Sequence, residues 1–549
     1  MSFRENKNQQ IKLSDRVNNL TKRERRILEK SWAKPFAEQI FPLIDESKFA
    51  KLYCEDNGRP NTPVNIIIGA LFLKEIMTQT DEELMESIIL DHRYQYALHL
   101  TSYDEIPFSD RTVSRFRERL ALHEIETDED ILKEEIERLA GAFAEIMQIR
   151  GDVKRVDSLM ISSSCKRMGR LELMYTCVAN LVKAMIKADE THLLPDHMLK
   201  YAESSNKNAV CYRMKEEEIG SRLKQVLEDA LLIYELAATA QDCTDDFQLL
   251  ERMLYDQTKD GQLKPNKEIS PQSLQNPSDE DATYRKKGSI GYQGYVANIV
   301  EDCGEKGNII TMYAYDTNRH TDVEFAAELI EELGPQEEKV TIITDGAYPS
   351  DENFDAAEAN NMELVATALT GHTPLEHIVR FNIEDSKIIA CPAGEKPVSS
   401  SYIKAKEQYR ATFLRESCAN CPLKAGCPAK IYKTKATVAF TDNTFKRAGY
   451  IKKLKTETYK AYARKRNGIE GMPSVLRRRY RVDEMPVRGL VRSKMWFGFK
   501  VGAINIKRLI RFVADQLKSP SIALFFSFLL ASLGFTKRDT FCRAAFSVV

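Results

Sequence analysis

Apolar residues recur along this chain with two different periods, and the changes of period divide it. From Pro63 the pattern is helical: VNIIIGALFLKEIM, DEELMESIIL and RYQYALHL carry hydrophobic residues three and four apart. After a short loop, FSDRTVSRFRERL puts Val113, Phe116 and Leu120 on one helix face and Arg111, Arg115 and Arg119 on another, with Ser109 or Asp110 as the N-cap. Thr127 to Ile149 predicts a further amphipathic helix, with Thr127 as its cap and acidic residues in its first turn. The period then shortens. Val153 to Ile161, VKRVDSLMI, predicts a strand with Asp157 inside it. Leu171 to about Gln257 returns to an acidic helical pattern, and KEISPQSLQNPSDEDA marks a loop.

From Tyr284 the strand period comes back. YVANIVED and NIITMYAYD flank CGEKG as a hairpin. DTNRHTDVEFAAELIEELG predicts a helix capped by Thr321 or Asp322 and ended by Gly334, with Asn318 and His320 in the capping loop. In KVTIITDGAYPS a buried strand ends on Asp345; a helix follows in SDENFDAAEANN and another strand in MELVATALT. Ser493 to Leu517 predicts a long amphipathic helix. Ile522 to Phe535 is apolar but shorter than the roughly 20 residues of a membrane span, and serines interrupt it, so a core or interface helix is expected there.

Composition changes this picture in two respects. A chain of 549 residues, 43% hydrophobic and 29% charged, has the make-up of a soluble protein with several domains. Its net charge of −1 gives no global sign of a nucleic-acid partner, yet Lys446 to Lys494 holds 16 Lys and Arg against 4 Asp and Glu, a local +12. A basic face on an otherwise acidic molecule fits a polyanion. Eleven cysteines and a polar N-terminus, MSFRENKNQQIKLSDR, predict reduced thiols in a cytoplasm and no export.

Three carboxylates stand out as candidate chemistry. Asp157 sits in an aliphatic run, where burial costs free energy unless the charge is paired or bound to metal. Asp345 ends a buried strand just before a glycine, where open α/β sheets place their sites. Glu470 is the one acid among the seven Lys and Arg of RKRNGIEGMPSVLRRRYR, Arg464 to Arg481, and is expected on a basic helix. A solvent-facing Asp157 and a plain ion pair at Glu470 remain open on local grounds. Cys391 in CPAG, with Cys418, Cys421 and Cys427 in CANCPLKAGCP, can supply four thiolates for tetrahedral zinc or serve as reduced structural cysteines.

The order of strand with Asp, hairpin, helix, strand with Asp, helix, strand and helix with Glu resembles the ribonuclease H-like fold. In VDSLMI, in ITDGAYPSDENF, and in RKRNGIEG with GLVRSKMWFGFKVGAINIKRL downstream, the chain resembles the DDE transposases of bacterial insertion sequences. PVNIIIGALFLKE to FSDRTVSRFRERL is similar to their N-terminal domain, and the CPAG and Cys-x2-Cys-Pro segment to the cysteine-bearing insertion of one large subgroup. The resemblance covers most of residues 60 to 515. It implies an α/β protein: a ribonuclease H-like mixed sheet core with an all-α N-terminal domain, a helical insertion and a small cysteine-bearing insertion. The corresponding segments are 1–135 for the helical DNA-binding domain and 150–515 for the catalytic domain, with insertions at 165–275 and 385–440, and 516–549 for a helical tail.

The same resemblance implies that Asp157, Asp345 and Glu470 are the catalytic ligands of Mg²⁺ or Mn²⁺. It further implies that Arg466, Arg477 and Arg478, together with Arg111, Arg115 and Arg119, meet DNA. Its implied partners are double-stranded transposon ends and target, bound by a homodimer, with no membrane. In the family's motif of Tyr, Arg, Glu and Lys, Arg466 takes the Arg place four before Glu470, and Arg477 takes that of the Lys. Tyr462 lies one residue further from Arg466 than the motif's Tyr, and Ala463 stands there instead. The expected activity is metal-dependent cleavage and strand transfer of an insertion-sequence element. The alternative is a DNA-binding regulator on the same fold, or a nuclease without transposition.

Overall fold

The structure is a computed structural model that describes residues 1–6, 16–55, 58–100, 108–213, 215–238 and 244–517. The apolar stretch from Ile522 to Phe535, and all but the first two residues of the expected tail, lie outside the described residues. The chain divides into two compact units. One comprises 1–151, 158–321 and the chain from 472 onward; the other comprises 152–157 and 322–471.

The N-terminal part of the first unit is helical from Lys22–Glu29 onward and includes α1 (Val64–Met77), α2 (Asp81–Leu90), α3 (Asp110–Thr127) and α4 (Ile131–Met147). Every residue of α1 from Val64 to Leu73 is buried, so VNIIIGALFL is a core helix rather than a surface one. A capping box of Thr80 and Glu83 starts α2. Thr127 closes α3 and does not cap α4, contrary to the sequence expectation. Asp128 adopts the left-handed conformation, at φ 61°, which breaks the helix between them. The Asp130 carboxylate then caps α4 by accepting the Lys133 N–H at 2.8 Å.

Strand β1 (Val153–Ser162) runs through both units. In the first, helices follow it, among them α5 (Arg170–Lys187), α6 (Ile219–Ala237) and α7 (Thr244–Gln257). They form the predicted helical insertion with a core of its own, from Met174, Val178 and Leu181 through Val226 and Ile233 to Leu250 and Met253. Then come β2 (Thr283–Lys287), β3 (Ile290–Gly304) and β4 (Gly307–Thr317), an antiparallel ladder in which β3 and β4 form the predicted hairpin. Gly294 of β3 lies so close to β1 that a Cβ would stand 2.3 Å from the Ile161 carbonyl.

The second unit holds the parallel strands. Helix α8 (Asp322–Leu333) leads to β5 (Val340–Thr344), and α9 (Asp351–Ala359), capped by Ser350, leads to β6 (Met362–Ala366). The first half of β1 pairs with β5 in parallel, Val153 with Thr341 and Arg155 with Ile343, and β5 pairs with β6 likewise. Helical crossovers are what parallel pairing demands. The antiparallel ladder and this parallel set are the two halves of a ribonuclease H-like mixed sheet, and the N-terminal region is helical, as the sequence predicts.

Within the second unit, β7 (Ser399–Ile403), β8 (Gln408–Leu414), β9 (Lys430–Ile431) and β10 (Lys435–Thr441) form a small antiparallel sheet in the order β7-β8-β10-β9. It packs on Phe381, Ile388, Phe413, Val438 and Phe440. Helices α10 (Asp442–Leu454) and α11 (Glu457–Asn467) follow. The chain then returns to the first unit through α12 (Gly471–Tyr480) and the long α13 (Leu490–Leu517), which packs on α1, α4 and β4. The Asn505 amide of α13 bonds both backbone groups of Ile310, at 2.9 and 2.7 Å.

Candidate active site

The site grows from the register of two strands in the second unit. Side chains two apart on a strand share a face, so Arg155 and Asp157 point the same way from β1. Arg155 stands opposite Ile343 on β5. Two residues further along β1 comes Asp157, and Asp345 stands one residue past the end of β5. Asp345 leaves β5 in a tight turn, its Oδ1 accepting the Ala347 N–H at 2.8 Å. Gly346 allows that turn, because a Cβ there would come within 2.8 Å of the Ala368 carbonyl.

Arg466, in the last turn of α11, completes the arrangement. Its Nη2 lies 3.3 Å from Asp157 Oδ1 and 3.8 Å from Asp345 Oδ2, and its Nη1 lies 2.7 Å from Glu470 Oε1. All three sequence-predicted acids therefore gather round one guanidinium. The side chains of Arg466 and Asp157 are 11% and 13% exposed, Asp345 is 32% and Glu470 54%, so the group opens from a buried floor to a solvated rim. One guanidinium thus faces three carboxylates. Partly buried carboxylates tolerate that only at a free-energy cost, or with a further cation at hand.

Glu470 does not lie on a helix, as the sequence led us to expect. Helix α11 ends at Asn467, α12 begins at Gly471, and Glu470 stands in the turn between them. Two glycines, Gly468 and Gly471, flank the break. Ile469 is fully buried and anchors the turn, by roughly 2 kcal/mol for a side chain of its size. The GIEG spacing already carried this signal. Sequence reasoning missed Arg155 altogether, although its place two before Asp157 puts it on the same face.

The other candidates are distributed as follows. In the first unit Arg477 pairs with Asp483 at 3.1 Å and donates to the Met160 carbonyl at 3.0 Å, while Arg478 is exposed. Arg111 and Arg115 are exposed on α3. Arg119 is not on an open arginine face: its guanidinium lies 4.7 Å from the centre of the Tyr53 ring, an aromatic partner far away in sequence. In the second unit Cys391, Cys418 and Cys427 line the small sheet's core. Burial raises the Cys418 thiol above its usual range, and neighbouring Cys427, Cys391 and Cys421 push it further the same way. Burial likewise raises Cys427, with Cys391 and Cys421 adding to it. Among the described residues, no three His, Cys, Asp or Glu side chains already stand in metal-holding geometry.

Two aspartates at the strands of a ribonuclease H-like sheet and a glutamate in a turn of a strongly basic segment thus form one carboxylate group. Residues 390–510 match the family model described as Transposase DDE domain, and residues 24–119 match the Transposase domain (DUF772). Both matches are to transposase domains, and together they support a DDE transposase of the insertion-sequence type, a DNA-cleaving and strand-transfer enzyme. No curated protein and no solved structure matches it. The DDE match contains Glu470, Arg466, Arg477 and the four cysteines; Asp157 and Asp345 lie outside both matched stretches and join the site through Arg466. Among the described residues, no helix is long and apolar enough to cross a membrane.

Proposed function

We propose that Asp157, Asp345 and Glu470 hold the divalent ions, Mg²⁺ or Mn²⁺, with which this transposase cuts transposon-end DNA and joins it to a target. The observation that carries this reading is the convergence of the three carboxylates on Arg466. Carboxylate oxygens are hard donors of the kind Mg²⁺ selects. When bound, two such ions serve the attacking and leaving oxygens of an in-line displacement. Asp157 and Asp345 fix one side of the site from the sheet. Glu470, on the open rim, faces incoming DNA. Arg466 is placed to shift its charge from carboxylates to phosphate. The test is an assay with the element's own ends, a target plasmid and Mg²⁺. End DNA joined to the plasmid supports the reading, and cleavage with no joining supports the nuclease alternative.

An element has two ends and each chain carries one carboxylate set, so a homodimer on DNA, working in the cytoplasm, fits the task. Size analysis of the complex with both ends bound tests the dimer: one chain per pair of ends contradicts it.

For DNA recognition, Arg477 and Arg478 are assigned to phosphate, and Arg111 and Arg115 to reading the end sequence, with Arg119 held beside Tyr53 in support. Replacing Arg478 by Ala weakens binding to all DNA alike and lowers the slope of log affinity against log salt by about 1. Replacing Arg115 by Ala erodes the preference for end DNA over random DNA. An unchanged preference removes α3 as the reader and moves recognition to the helical insertion.

Cys391, Cys418, Cys421 and Cys427 are assigned to one zinc ion. Metal analysis of the pure protein is expected to find about one zinc per chain with Zn–S distances near 2.3 Å. Fully active, zinc-free protein leaves the four as core thiols.

A further inference from the structure

We infer that Arg155 and Gly468 form a clamp that positions Glu470, making Arg155 a positioning residue for the carboxylate set; this rests on the metal-holding role proposed for that set. Asp157 and Asp345 are located by strand pairing, but Glu470 belongs to no strand or helix. Its place depends on the turn that carries it.

Arg155 grips that turn. It is 7% exposed, and its Nη1 donates to the Lys465 carbonyl at 2.9 Å. The same carbonyl accepts the Gly468 N–H at 3.2 Å. The guanidinium therefore sits at the C-terminus of α11, where unpaired carbonyls and the helix dipole favour a cation. Gly468 packs against it so tightly that a Cβ would stand 2.1 Å from Nη1 and 3.0 Å from Cζ. The backbone of Gly468, at φ −65° and ψ −26°, is one that any residue adopts. Glycine is there to leave room for the guanidinium, not for conformational freedom. One face of β1 thus holds one short segment twice: Arg155 fixes its backbone, and Asp157 meets Arg466, the next residue along. Ile469, buried beside Glu470, holds the backbone of the same turn.

Gly468→Ala tests the clamp directly, since the backbone accepts alanine and only the added methyl disturbs Arg155. Full-length protein is titrated with Mn²⁺ without DNA, and folding is checked by melting temperature. Gly468→Ala and Arg155→Met are each expected to weaken Mn²⁺ binding about 10-fold, within the range for groups that act through a metal ligand. Arg155→Lys is expected to recover part of the loss, and affinity for end DNA to stay unchanged. Glu470→Gln serves as the reference. If it weakens Mn²⁺ binding while a folded Gly468→Ala does not, the clamp is wrong and the carboxylate reading stands. If Glu470→Gln itself leaves Mn²⁺ binding untouched, the carboxylate reading fails and the clamp falls with it. Should Arg155→Met not fold, Gly468→Ala decides alone.

Discussion

Asp345→Asn is expected to abolish metal-dependent cleavage of end DNA while leaving end binding intact. The substitution keeps the size of the side chain and the oxygen that accepts the Ala347 N–H, so the turn after β5 survives. It removes the negative charge from the oxygen facing Arg466. Outer partners of metal ligands already cost 10- to 100-fold when changed, so loss of a direct ligand is expected to exceed about 100-fold. Asp157→Asn is expected to behave alike, because its carboxylate meets the same Arg466 Nη2. The measurement is the fraction of labelled end DNA nicked in Mg²⁺, alongside a binding assay in the same buffer. Cleavage by Asp345→Asn at the wild-type rate would remove Asp345 from the catalytic set.

Arg466→Ala is expected to destabilise the metal-free protein, and Mg²⁺ is expected to restore much of the lost stability. Removing one partner of a buried ion pair costs about 3–5 kcal/mol because the other charge is left uncompensated. Here Glu470 is more than half exposed and screened by water, so roughly 2 kcal/mol is the better expectation. Without Arg466 the three acids lose the countercharge at their centre. A divalent ion that binds the folded state supplies that charge and stabilises by mass action. Denaturant unfolding with and without Mg²⁺ separates the cases. An equal deficit in both conditions would mean that Arg466 acts only as an ordinary structural partner and that the acids do not gather a metal.

Much of the fold was legible because hydrophobic period is a local property. The strands around Asp157 and before Asp345, the hairpin at CGEKG and the closing helix all lie where the pattern puts them. What escaped depends on contacts between distant residues or on single backbone angles. The convergence of the acids on Arg466 follows from the register of Arg155 with Ile343, which no local pattern encodes. Arg119 looked like part of a solvent face, but Tyr53 covers it. Thr127 looked like a cap because an acidic run follows it; one left-handed residue, Asp128, moves the helix start to Ile131. The turn at Glu470 could have been read from its two flanking glycines, which argue against a continuous helix.

The strand that carries Asp157 is shared between two units, and this constrains the gene as well as the protein. The second unit is assembled from residues 152–157 and 322–471, two stretches of sequence with a long intervening segment. No single short piece of the reading frame encodes all three acids. A fragment spanning 322–471 retains Asp345, Arg466 and Glu470 and lacks the first aspartate and its arginine neighbour. Copies of the gene that decay by truncation from either side therefore lose the carboxylate set before they lose most of their length. Restoring it from two half-genes would require the halves to rebuild β1 beside β5, pairing Val153 with Thr341 once more.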